Sequence, residues 1–135
     1  MGRIITQVKI NNALDMGKSL QFDALVDTGT SILTLPLAWK DRLGTLKEER
    51  SVKVETADQR IVDALICGPV QIQLEGFRPI FSEVIFLEMQ PQDGAYESLV
   101  GYIVLEQSLA TIDMVGHRLI PVKSFDLKIT KRRPD

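Results

Sequence analysis

The chain has 135 residues, 44% of them apolar and 25% charged, and 16 Lys+Arg against 18 Asp+Glu leave a net charge of −2. That length fits one domain with a sizeable core, and no apolar run approaches the ~18–20 residues that cross a bilayer. One Cys (Cys67) and one His (His117) supply neither an internal disulfide nor a zinc site, and the near-neutral charge leaves no nucleic-acid footprint beyond the basic tail K-I-T-K-R-R-P-D. No metal, cofactor or nucleic acid is expected.

The start M-G-R-I-I-T-Q-V-K-I lacks the apolar stretch and cleavage site of a signal peptide. With a lone Cys, this favours a cytoplasmic location. The same residues fit a myristoylation pattern, but a first β-strand over residues 3–10 uses them too, and β-branched residues dominate there. Asn11-Asn12 and Asp15-Met16-Gly17-Lys18 read as turn material, and residues 19–26 resume as a strand ending in Ala24-Leu25-Val26. Asp27-Thr28-Gly29-Thr30-Ser31 is a polar loop, followed by a short apolar run over residues 32–35.

Pro36 before and Gly44 after frame a short helix over Leu37–Leu43. Residues 51–55 and 60–66 alternate as a hairpin around Thr56-Ala57-Asp58-Gln59. V-Q-I-Q-L over residues 70–74 is the cleanest period-2 strand. Glu75-Gly76 turns it, and Ile80–Leu87 is the next extended segment. A polar loop over residues 89–98 leads to Leu99-Val100-Gly101 and a helical turn or two within residues 103–108. Residues 109–113 and 118–122 form a closing hairpin. Eight or nine short strands with one or two short helices imply an all-β sandwich or barrel. The domain is expected over residues 1–124, with a basic tail at 125–135.

One cluster carries chemistry. A-L-V-D-T-G-T-S over residues 24–31 is an apolar strand delivering Asp27 into a Thr-Gly turn with two hydroxyl residues behind it. About 70 residues on comes L-V-G-Y-I-V-L, two apolar residues and Gly101 leading into a short helix, then T-I-D and R-L-I-P. In order and spacing, residues 3–122 resemble the retropepsin-like aspartic proteases, single-domain relatives of pepsin that work as homodimers. The resemblance implies a closed β-barrel acid-protease fold and an endopeptidase acting on extended peptides.

The chemistry fits that resemblance. Two carboxyls forced into one site share a proton, so one takes a proton from water while the other assists the carbonyl. A chain with one such Asp needs a second copy, and an isologous interface puts identical residues at its axis. The resemblance makes Asp27 catalytic. It gives Gly29 a close backbone approach, makes the Thr28 hydroxyl cross the dimer axis, and sets the Thr30 hydroxyl on a carboxylate oxygen. Residues 54–61 become a flap whose Thr56, Ala57, Asp58 and Gln59 bind substrate, and Leu99, Val100 and Gly101 support the catalytic loop.

The chain departs from the family pattern at the flap tip, which lacks Gly, and at Tyr102, where a polar residue is usual. The tip keeps a second reading open, a dimeric peptide-binding module that does not cut. An Asp-Thr-Gly turn that merely ends a strand is the bland alternative for Asp27. An aspartyl-phosphate loop is set aside, because no Lys and no following phosphate-binding helix accompany the motif. His117 reads as a solvated turn residue, Cys67 as a buried small hydrophobe, and Asp113 as a carboxylate that caps or supports the fold.

Overall fold

A computed structural model describes residues 3–56 and 58–122. The expected tail, Met1-Gly2 of the lipidation pattern and Ala57 of the hairpin tip lie outside the described residues. In chain order the elements are β1 (Ile5–Asn12), β2 (Asp15–Val26), β3 (Leu33–Pro36), a 3-10 helix (Leu37–Leu43), β4 (Glu48–Glu55), β5 (Ile61–Leu74), β6 (Ile80–Leu87), β7 (Ser98–Val100), α1 (Tyr102–Gln107), β8 (Ala110–Asp113) and β9 (Arg118–Pro121). No helix among the described residues is long and apolar enough to cross a membrane.

Seven strands make one sheet in the order β1-β2-β7-β3-β6-β5-β4, and β5 also pairs with β1. The order therefore closes on itself, leaving β4 as an edge strand carried by β5. β8 and β9 form a separate two-stranded sheet. Residue alternation explains the ring. Val70, Ile72 and Leu74 of β5 are fully buried while Gln73 is exposed, and Ile72 and Leu74 lie opposite Ile10 and Val8 of β1. β3 (L-T-L-P) is buried throughout, as a short strand flanked on both sides must be. Leu33, Leu35, Val84 and Phe86 close the same core, each such side chain contributing about 1.5–3 kcal/mol.

Two expectations change. Asn11-Asn12 and residues 15–18 are strand, and only Ala13-Leu14 turn between β1 and β2. The reason is a buried acceptor set. Asn12 donates through Nδ2 to the carbonyls of Leu43 and Thr45, each at 2.8 Å, and its Oδ1 accepts from Leu14 N–H at 2.9 Å. The end of a helix leaves carbonyls without partners, and a buried Asn in the neighbouring strand satisfies them. The second change joins two expected strands into β5. Gly68-Pro69 lies between those two segments, and the chain carries it as a shift of register against β6 between Cys67 and Val70. Cys67 is fully buried there, and burial pushes its thiol up to about 11, so it is an apolar packing group at neutral pH.

Candidate active site

β2 runs parallel to β7, with Ala24, Leu25 and Val26 opposite Ser98, Leu99 and Val100. This pairing aims the end of β2, and hence Asp27, out of the sheet. Asp27 N–H donates to the Val100 carbonyl at 2.9 Å, so the strand hydrogen bonding continues up to the first loop residue. Past Gly101 the chain turns into α1, whose first N–H groups have no partner within the helix. Tyr102 N–H donates to the Thr30 carbonyl at 3.0 Å and Ile103 N–H to the Ser31 carbonyl at 2.9 Å. The loop of residues 27–31 is thus gripped at its start by β7 and at its end by α1.

Gly101 makes that grip possible. A Cβ there would lie 2.4 Å from the Ser31 carbonyl carbon and 2.7 Å from the Ile32 nitrogen, both backbone atoms. Val100 and Gly101 therefore meet the loop through their main chain, whereas Leu99 lies opposite Leu25 of β2 and Thr34 of β3 rather than against the loop.

Within the loop Asp27 is half-buried, and Thr28 and Gly29 are exposed. The Asp27 carboxylate accepts from Gly29 N–H through Oδ1 at 2.9 Å, and a Cβ on Gly29 would stand 3.1 Å from that oxygen. The Thr30 hydroxyl donates to the Asp27 main-chain carbonyl at 3.1 Å rather than to the carboxylate. Its place on a carboxylate oxygen is corrected accordingly, because Thr30 N–H and hydroxyl both converge on that one carbonyl. Asp27 and Thr28 line a cavity of about 440 Å³ together with Arg3, Ile4, Leu25, Val26, Ile112 and Met114.

The β4–β5 hairpin is a separate feature. Val52, Val54, Val62 and Ala64 form its more buried face, while Lys53, Glu55, Ile61 and Asp63 are exposed. At its tip Thr56 N–H donates to the Arg60 carbonyl at 2.8 Å, and Gln59 N–H donates to the Thr56 carbonyl at 2.9 Å. Gln59 has φ 66°, a left-handed conformation. The Asp58 carboxylate accepts from the Thr56 hydroxyl and pairs with Arg60 Nε at 3.0 Å. The Thr56 hydroxyl first, and then the Arg60 guanidinium, hold the Asp58 carboxyl below its ordinary 3.8. Thr56, Asp58 and Gln59 are not among the residues lining the cavity at Asp27.

Asp113 takes the supporting role expected of it. Its carboxylate accepts from Val115 and Gly116 N–H and pairs with Arg118, which keeps it below the ordinary range. His117 is exposed in the same turn, at φ 55°. Sequence reasoning missed Ile4, Ile112 and Met114 as cavity residues. Nothing local marks them: Val26 N–H donating to the Ile4 carbonyl at 2.9 Å brings Ile4 beside the loop, and Ile112 and Met114 reach the cavity from the β8–β9 hairpin through the tertiary fold.

A family model described as aspartyl protease matches residues 6–102, more than half of the chain, from within β1 to the first residue of α1. The chain belongs to the aspartyl protease family. No curated protein gives a significant match. Among solved structures it is similar to the EIAV protease complexed with the inhibitor HBY-793, with 21% identity, TM-score 0.60 and coverage of 84% of this chain and 94% of that one. It is also similar to the retroviral protease-like domain of Ddi1 from Leishmania major, with 18% identity, TM-score 0.52 and coverage of 90% of each chain. These likenesses give this aspartyl protease-family chain a retropepsin-like fold.

Proposed function

We propose that this family member is a homodimeric aspartic endopeptidase in which the Asp27 carboxyls of two subunits activate water. The observation that carries the reading is the Asp27 loop. Its main chain is gripped by Val100 and by the start of α1, and Asp27 lines a cavity of about 440 Å³. A half-buried acid that lines a cleft on a loop held by two other elements is placed where chemistry can occur. Each chain carries one such loop, so a two-carboxyl site needs two chains.

In the proposed reaction one Asp27 carboxylate accepts a proton from water as the oxygen adds to the peptide carbonyl carbon. The other, protonated, Asp27 gives its proton to the carbonyl oxygen. Collapse of the tetrahedral diol breaks the C–N bond, and the amine leaves with a proton returned by the carboxyl pair. Thr28 would link the two loops across the axis. The β4–β5 hairpin would act as the flap, with Thr56, Ala57, Asp58 and Gln59 meeting an extended peptide. Residues 1–124 would form the working unit, in the cytoplasm.

A fluorogenic peptide library assayed from pH 3 to 7 tests this. Asp27→Asn should lower turnover by about a thousandfold or more while leaving the dimer intact, because Asn nearly matches Asp in shape. One observation favours a second reading, a dimeric module that holds peptides without cutting. The hairpin tip is Gly-free and pinned by the Asp58–Arg60 pair. Equal peptide binding with no cleavage in either protein would select that module.

A further inference from the structure

A second cavity adjoins the one at Asp27, and its chemistry is different. It encloses about 340 Å³ and shares Leu25 with the Asp27 cavity. Asp23 and Leu25 are two apart on β2 and so share a face, and Ile5 of β1 lies opposite Leu25 in the register. Ile5 is 52% exposed and Leu25 half-buried, so both leave apolar surface open. The rest of the wall comes from the loop between β6 and β7, where Asp93, Tyr96 and Glu97 line the cavity. That loop is held in shape. Gln92 and Ala95 exchange main-chain hydrogen bonds at 2.7 and 3.0 Å, and Tyr96 meets Trp39 of the 3-10 helix edge-on at 6.0 Å.

Three acids, Asp23, Asp93 and Glu97, thus line one cavity with the apolar Ile5 and Leu25. They are not grouped to hold a metal ion, since no such set occurs among the described residues. Of the three, only Glu97 has an ion-pair partner among the described residues, and that partner is Arg3. Arg3 itself lines the Asp27 cavity, so a guanidinium already links the two cavities and rests on an acid of the second. Ser98 lines the second cavity too, and its fully buried Oγ has no hydrogen-bond partner among the described residues. An unsatisfied polar group in a cavity wall is one that a ligand can complete. We infer that this cavity takes a lysine or arginine side chain of the peptide, so that the proposed endopeptidase selects basic residues near the bond it cuts. The inference rests on the dyad reading above and adds the substrate class. A long basic side chain lays its methylenes on Ile5 and Leu25 and brings its charge among the three acids. An acidic side chain in the same place meets like charge. Arg3 is the chain's own competitor for Glu97.

Peptides that carry Lys, Arg, Gln or Glu in turn at each position around an apolar centre test this, read by fluorescence anisotropy for binding and by mass spectrometry for cleavage. At low salt, Lys or Arg at one position should be preferred over Glu by about tenfold or more. The preference should shrink as ionic strength rises. Asp23→Asn and Asp93→Asn should each lower it about two- to fivefold. Both acids are exposed, and Asn accepts the left-handed φ 52° of Asp93, so the fold should not change. Arg3→Gln should move the preference the other way, because it frees Glu97 for the substrate. A merely structural loss would move all three variants in one direction. Peptides bound and cut without a basic preference would overturn the cavity assignment and leave the dyad reading standing. A basic preference in binding, with no cleavage at any acid or neutral pH, would support the assignment and overturn the endopeptidase. Neither binding nor cleavage of any peptide would overturn both.

Discussion

The Asp27 loop and the tip of the β4–β5 hairpin are both short polar connections following strands, yet they are built in opposite ways. Asp27, Thr30 and Ser31 engage β7 and α1 through main-chain hydrogen bonds, and Gly101 lets the backbones approach. The hairpin tip makes its described hydrogen bonds within itself, among Thr56, Asp58, Gln59 and Arg60. A loop tied to two other elements moves only when they move. A tip tied only to itself can swing as a unit. For a proposed hydrolase that division is useful, because the acid must stay in place while whatever covers the substrate must open.

The strongest way to break the contrast is Gly101→Ala. The added methyl would meet the backbone of Ser31 and Ile32, with no flexible side chain there to give way. Overpacking against fixed backbone costs about 3 kcal/mol or more, and the carbonyls of Thr30 and Ser31 would lose the donors from α1. Denaturant unfolding should show that loss, and whatever folds should have an Asp27 loop with faster amide exchange. An unchanged midpoint would mean that α1 and the loop are not packed as tightly as the contrast requires.

The two regions also differ in how they can be read from residues. The Asp27 loop is legible because its needs are local and chemical: Asp, Thr and Gly in sequence after an apolar strand, then an apolar pair and Gly where the supporting strand arrives. Strand alternation makes the second half of β5 and all of β6 equally plain. Asn11 and Asn12 mislead because their preference for turns is a single-residue property. The carbonyls that Asn12 satisfies, Leu43 at the end of the 3-10 helix and Thr45 just past it, lie 31 and 33 positions away. The Thr30 hydroxyl is similar, since residue type alone does not choose between two acceptors of Asp27. The apolar side of the cavity is invisible in sequence, as Ile4, Ile112 and Met114 lie far from Asp27 along the chain and meet only through the fold.

A smaller change sharpens the contrast from the other side. Gln59 holds φ 66° in the tip, a conformation that costs a side-chain-bearing residue about 1–2 kcal/mol. Gln59→Gly removes that cost and adds a comparable entropy to the unfolded chain, so stability should shift by less than about 1 kcal/mol. The tip itself gains freedom, and peptide turnover should rise while the unfolding midpoint stays nearly fixed. Turnover and midpoint falling together would show that the tip is coupled to the fold after all.

The smallest expected effect separates charge from shape at that tip. The Asp58 carboxyl is held below its ordinary 3.8, first by the Thr56 hydroxyl and then by Arg60. A lowered value in the folded state means the ionised form is favoured there. Its contribution is therefore present at neutral pH and disappears as pH falls below 3.8 through the lowered value. Asp58→Asn should make the tip amides exchange faster than in the wild type at pH 7, and the difference should shrink as pH drops through that window. Asp113 is lowered in the same sense, by the Gly116 N–H first and Arg118 after it, so the β8–β9 turn should loosen over the same acidic range in both proteins. That shared loosening is the internal reference. A tip difference that persists once the wild-type Asp58 is protonated would assign the effect to the shape of the carboxyl group rather than to its charge. The self-contained character of the tip would then rest on Thr56 and the main chain alone.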